Sequence, residues 1–165
     1  MDFHGQEVKN SAFMAIVFPL IGSLGAISSG WASDRFFQSR RAPVCAIMLF
    51  FLAIACLAFI PIPAGDALTA TGLLAFAGFM IYGPDAILTG AAAIDLAHPK
   101  AAASATGFIM ATGNFGSAIF SGVGVGYLLD HFDGSWTAVF VTLSVLSVIA
   151  ALMSMLLWNQ RPKTA

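Results

Sequence analysis

One carboxylate falls where carboxylates are expensive. Asp85 interrupts an uncharged run that begins at Ala67 and resumes as far as Ile94. An ionised acid at the centre of a bilayer costs about 2.5–3.5 kcal/mol on insertion scales, so acids at that depth are usually paired, protonated or functional. Tyr82, Asp85 and Thr89 recur at helical spacing and share one face of a helix. Such a stripe suits contact with a polar solute or a proton. The plainer alternative is a structural acid, protonated or bonded to Thr89, or an acid placed nearer the membrane surface. Asn114, Ser117 and Ser121 form a second polar face. It can line a cavity, or it can hydrogen-bond between helices at about 0.6 kcal/mol per bond.

A third cluster interrupts the oily sequence. "GWASDRFFQSRRAP" (30–43) places Gly30, Asp34, Arg35, Arg40 and Arg41 in the pattern G-x-x-x-D-R-x-x-x-x-R-R. Asp34 falls near the expected end of a helix, where the macrodipole disfavours an anion, so a cationic partner is expected. An acid that pairs with a cation in one state and separates in another can latch two groups of helices. The alternative is that the arginines only fix topology. Gly30, lacking a side chain, is expected to let a neighbouring helix approach closely.

The elements that must position these residues follow from composition. Hydrophobic residues make up 59% of the 165 residues and charged residues 9%, with a mean hydropathy of +0.89. A soluble domain carries about 25% charged residues. So few charges cannot cover a water-facing surface, and the lipid bilayer is the expected surrounding. The net charge of −1 says little about partners. Uncharged runs, the third interrupted by Asp85, place membrane spans at 12–32, 43–64, 67–94, 101–129 and 135–158. At about 1.5 Å per residue, roughly 20 residues cross a ~30 Å hydrocarbon core. Backbone groups in lipid need internal partners, which makes the spans helices. The expected fold class is therefore all-α, a polytopic helical bundle with five transmembrane helices. Pro84 is expected to kink the third span. The glycines at 107, 113, 116, 122, 124 and 126 are expected to thin the fourth span for tight packing.

Orientation follows from the basic residues. Arg35, Arg40, Arg41, Lys100, Arg161 and Lys163 fall on one side of such a bundle, and only Lys9 on the other. Basic residues collect in the cytoplasm, which puts the N-terminus outside and the C-terminus inside. The acidic start (Asp2, Glu7) and the long first run argue against a cleaved signal peptide.

Other chemistry finds no support. "GVGVG" (122–126) lacks the spacing and the preceding strand of a dinucleotide loop. His4, His98 and His131 fall in separate loops, which disfavours a shared metal site. No nucleophile stands with a base, and no basic aromatic patch suggests nucleic acid. The expectation is a non-enzyme with no cofactor.

The loop pattern at 30–41 resembles the cytoplasmic loop signature of the major facilitator superfamily. "YGPDAILTGAAAIDLAHPKAAASATGF" (82–108) and "GVGYLLDHFDG" (124–134) resemble its organophosphate:phosphate antiporter family more specifically. The matching features are Tyr82-Gly83-Pro84, Asp95, Lys100-Ala101-Ala102, the glycines from Gly107 to Gly126, and Gly126-Tyr127 with Asp130. The resemblance covers residues 10 to 158 and equates the five spans with helices eight to twelve of a twelve-helix transporter. It implies a bacterial inner-membrane protein and an anionic small-molecule substrate, an organophosphate or phosphate, exchanged by alternating access. It also implies a need for the missing N-terminal helices or a second polypeptide, because rocking takes two halves. The family's phosphate-binding arginines belong to helices one and seven and have no counterpart here. Asn114 falls where the glycerol-3-phosphate antiporters have a tyrosine, and Asp85 where the family has an uncharged residue. The resemblance leaves two alternatives: a transporter-like sensor of a sugar phosphate, and a fragment inactive on its own.

Overall fold

The computed structural model describes residues 8–63, 66–91 and 101–159, the side chains of 8–14 and 91 excepted. Helix α1 spans Val8–Phe36, α2 Arg41–Ala58 and α3 Ala67–Ala86; α3 runs on into a turn of π-helix at Ile87–Ala91. Helix α4, Ala102–Ile119, passes through a second π-helical turn at Phe120–Gly124 into α5, Val125–His131, and α6 spans Trp136–Leu156. The segments from Ala102 to His131 make one 30-residue rod. Among the described residues, five rods are long and apolar enough to cross a membrane. The all-α, five-helix architecture expected from the sequence is the one found.

Helix α2 stops short of the 43–64 run. Its last residue is Ala58, and a turn follows. Pro61 and Pro63 have no backbone N–H to continue the ladder. The Ile60 amide instead bonds the Leu57 carbonyl at 3.2 Å, and the Ile62 amide the Phe59 carbonyl at 3.4 Å. Eighteen residues still reach ~27 Å, close to the hydrocarbon thickness. The expected turn through Asp95, His98 and Lys100 lies outside the described residues, as do Asp2, His4, Glu7, Arg161 and Lys163 and the side chain of Lys9.

Two seams hold the bundle. Along the first, α1 buries small residues, Gly22, Gly25, Ser29 and Ser33, and turns large ones such as Leu20 and Ile27 outward. This reverses the soluble-protein pattern because lipid tails solvate leucine well, and helices associate instead through close backbone approach. A Cβ at Gly25 would collide with the Phe79 carbonyl of α3, and one at Gly78 would come within 2.7 Å of the Phe18 carbonyl. Deeper in the seam, the Ser29 hydroxyl donates to its own helix at Ala26 (2.8 Å) and lies 3.4 Å from the Gly83 carbonyl. The second seam joins α2 to α6. There the buried Ser144 hydroxyl donates to the Ala53 carbonyl at 3.1 Å, and Phe59 stacks on Phe140 with centroids 5.2 Å apart. Val44, Cys45, Met48 and Ile87 form the small core where α2 meets α3.

Gly30 departs from expectation. A Cβ there would meet nothing within 4 Å among the described residues. Each residue turns about 100° around a helix, so the seam that carries Ser29 and Ser33 leaves Gly30 to one side. The rod Ala102–His131 departs as well. None of its residues is buried, and added Cβ atoms at Gly107, Gly113, Gly116, Gly122 and Gly126 would meet nothing. Gly124 would meet only the Phe120 ring of its own rod. Among the described residues, the thin face of this rod has no packing partner.

Candidate functional site

The stripe on α3 divides in two. Tyr82 turns toward α1: its ring lies where a Cβ on Gly22 would come within 2.6 Å, and it meets Phe18 edge-on at 5.7 Å. Asp85 is exposed on the bundle surface. The Thr89 hydroxyl donates to the backbone carbonyl of Asp85 at 2.6 Å. The bond between Thr89 and the acid is therefore a back-bond within the helix, and the carboxylate takes no part in it. Tyr82 packs while Asp85 faces outward, so the three residues do not make a single surface.

The helix changes type just downstream of Pro84. Pro84 is fully buried and sits inside α3 without ending it. Gly83 makes room for that burial, since a Cβ there would run into the Met48 thioether. The widened π-helical turn begins at Ile87, just after Asp85. A second such turn begins at Phe120, just after Ser117. Turns of this kind often mark functional sites. Hydrophobic periodicity carries no signal for them; Pro84 and the glycines at 90, 122 and 124 were the only hints in the sequence.

Asn114 and Ser117 are exposed on α4. Helix α4 touches the rod of α3 at Ile87–Ala91, the turn that holds Thr89. The topology therefore brings the Asp85–Thr89 end of α3 beside α4. Among the described residues, the side chains of Asp85, Asn114 and Ser117 make no hydrogen bond or ion pair. Together they are an acid, an amide and a hydroxyl offered on membrane-length rods. They supply acceptors and donors for a polar solute and no nucleophile–base pair.

The charged loop is built more tightly. Gln38 and Ser39 adopt left-handed backbone, with φ of 53° and 61°, at about 1–2 kcal/mol per residue for non-glycine side chains. Local bonds offset this strain. The Ser33 carbonyl accepts from the Phe37 amide (3.3 Å) and the Ser39 amide (3.0 Å), and the Ser33 hydroxyl donates to the Arg40 carbonyl (3.1 Å). The Ser39 hydroxyl donates to Asp34 Oδ1 at 3.0 Å, and Arg41 Nη1 lies 2.9 Å from the same oxygen. Asp34 thus finds its cation within its own helical hairpin. Arg35 is exposed in the last turn of α1, where a cation suits the dipole. Sequence reasoning missed Ser33, Ser39 and Trp158. Trp158 meets Phe37 edge-on at 6.4 Å and so ties the end of α6 to this loop.

A bundle of membrane-length helices joined at small-residue seams, with polar groups displayed on two of its rods, defines an integral membrane protein. Residues 3–165 match the profile of the Major Facilitator Superfamily, and the chain belongs to that family. It is 36% identical over 155 residues to a glycerol-3-phosphate transporter of Bacillus subtilis (strain 168), which covers 94% of this chain and 34% of that protein. It is 32% identical over 164 residues to the membrane sensor protein UhpC of Escherichia coli (strain K12), covering 98% of this chain and 36% of that one. Identity is also 32% over 161 residues, 97% of this chain and 34% of the other, with a probable hexose phosphate transport protein of Chlamydia pneumoniae. The chain spans about a third of the length of these relatives. No solved structure matches it significantly.

Proposed function

We propose that the chain forms helices eight to twelve of a secondary transporter that exchanges an organophosphate, or a related small anion, for inorganic phosphate. The observation that carries this reading is the Ala102–His131 rod. It is long enough to span, buries none of its residues, and displays Asn114 and Ser117. Polar groups at membrane depth face protein or a water-filled cavity, so this rod calls for a second set of helices, on the same chain or another. Asp85, Thr89, Asn114 and Ser117 then line the pathway, with Tyr82 bracing it from the α1–α3 seam. Alternating access comes from rocking one half against the other. Similarity over most of the chain to proteins named for glycerol-3-phosphate and hexose phosphate transport supports the substrate class.

The α1–α2 loop and the end of α6 face the cytoplasm in this reading, across a bacterial inner membrane. Support comes from Arg35, Arg40 and Arg41 in the loop, and from the Phe37–Trp158 contact, which places both ends on one face. The test of function is exchange in phosphate-loaded proteoliposomes that contain both halves. Organophosphate uptake that depends on internal phosphate is expected.

A second reading is favoured by one specific finding, the similarity to a membrane sensor protein over nearly the whole chain. As a sensor, the assembled protein would bind organophosphate with little exchange. Binding without phosphate-dependent uptake would select this reading.

A further inference from the structure

We propose that the cavity between the α1–α2 loop and the end of α6 holds the phosphate headgroup of an anionic phospholipid. The cavity measures about 220 Å³ and is lined by Phe36, Phe37, Gln38, Arg40, Pro43 and Trp158. Arg40 is the charged member of that lining. Its Nε–H is shielded from solvent and has no acceptor among the described residues. The neighbouring acid is engaged elsewhere, Asp34 Oδ1 accepting from Arg41 at 2.9 Å and from the Ser39 hydroxyl at 3.0 Å. A shielded donor calls for an acceptor; on a permanent cation a phosphate oxygen supplies the bond and the counter-charge together, and the planar guanidinium fork matches phosphate oxygens.

The surroundings favour a lipid over a free anion. Phe36 closes α1, Pro43 lies in the first turn of α2, and Trp158 follows the end of α6. The cavity therefore lies where three rods leave the hydrocarbon, the depth at which tryptophan gathers and basic pockets between helices hold anionic headgroups. Phe37 also borders a second cavity of about 280 Å³, lined by Trp31, Val44, Ile47, Met48 and Phe79 among others. That apolar cleft sits beside the headgroup site and suits a length of acyl chain. The inference rests on membrane residence and the geometry of the loop, and it stands whether the assembled protein transports or senses.

Native mass spectrometry of the delipidated full chain, titrated with phosphatidylglycerol or phosphatidylcholine, tests it. One basic residue near a charged lipid surface is worth about a five-fold preference. Wild-type chain is expected to retain phosphatidylglycerol about five-fold better than phosphatidylcholine. Arg40→Gln should abolish the preference, while Arg35→Gln, on the exposed end of α1, should keep it. Gln38→Glu puts an anion into the cavity without touching Arg40 and should also abolish it, which covers the case in which Arg40→Gln does not fold. Equal retention of the two lipids by wild type would overturn the proposal, as would a preference that survives Gln38→Glu. Displacement of phosphatidylglycerol by millimolar inorganic phosphate would instead assign the cavity to a free anion and overturn the lipid assignment.

Discussion

Arg41 Nη1 lies 2.9 Å from Asp34 Oδ1 and joins the last turn of α1 to the first residue of α2. Each charge alone stands at the wrong end of its helix, an anion near a C-terminus and a cation at an N-terminus, at about 0.3–1 kcal/mol each. Paired, they cancel both penalties and hold a loop whose backbone is strained at Gln38 and Ser39. The pair is partly exposed, which limits its worth to about 1 kcal/mol. Asp34→Asn should therefore raise amide exchange across Gln38–Arg40 roughly five-fold, with membrane insertion unchanged. Exchange at the wild-type rate would show that the Asp34–Arg41 pair does not hold the loop, and would leave Arg41 as a topology anchor.

The α1–α3 seam separates two glycines that look alike in the sequence. Gly25→Ala drives a methyl into the Phe79 carbonyl and should destabilise the bundle by about 1–3 kcal/mol, as overpacking does. Gly30→Ala meets open space and should be neutral or stabilising by up to about 1 kcal/mol, from helix propensity. Thermal unfolding in detergent ranks the two. A Gly30 variant as damaged as the Gly25 variant would contradict the described seam.

These two glycines mark how far the sequence could be read. The rods were legible because a near-absence of charge over about 20 residues is a coarse signal with one physical solution in lipid. Which small residue faces which neighbour was not legible. Gly25, Ser29, Gly30 and Ser33 are all compatible with close packing, and only the crossing of α1 with α3 selects among them. The loop pattern identified Asp34 and its arginines, but the partner of Asp34 depended on the left-handed turn at Gln38–Ser39. Tyr82, Asp85 and Thr89 share a helix face by spacing. Gly22 leaves room for the Tyr82 ring, and this splits the stripe, a contact no local pattern encodes.

Asp66 caps α3, its side chain accepting the Thr69 amide at 3.2 Å. Hydrogen bonds from the Thr69 side chain and backbone hold its carboxyl below the ordinary value of 3.8. A folded pKa below the unfolded one means the contribution to stability is full above the unfolded value and is lost as pH falls through the folded value. Carbon NMR of the folded chain should give an Asp66 midpoint below 3.8, and Thr69→Ala should move it back up. A midpoint at or above 3.8 in the wild type would show that the cap does not form.

Asp85 carries the pathway assignment. In the assembled transporter, Asp85→Asn should change the exchange rate or its pH dependence while leaving helicity unchanged and the unfolding free energy within about 0.5 kcal/mol of wild type, as for other exposed positions. Wild-type exchange at every pH would return Asp85 to the role of a surface acid.

The central claim is that this chain supplies one part of an organophosphate exchanger. The most direct test joins it to those helices of the Bacillus subtilis relative that it does not match, about two-thirds of that protein, and measures counterflow in phosphate-loaded proteoliposomes. The chimaera is predicted to take up an organophosphate only when phosphate is trapped inside, and the 165-residue chain alone is predicted to show no saturable uptake. A chimaera that inserts and stays monodisperse, yet exchanges nothing under conditions where the relative is active, would contradict the account; so would saturable uptake by the chain alone.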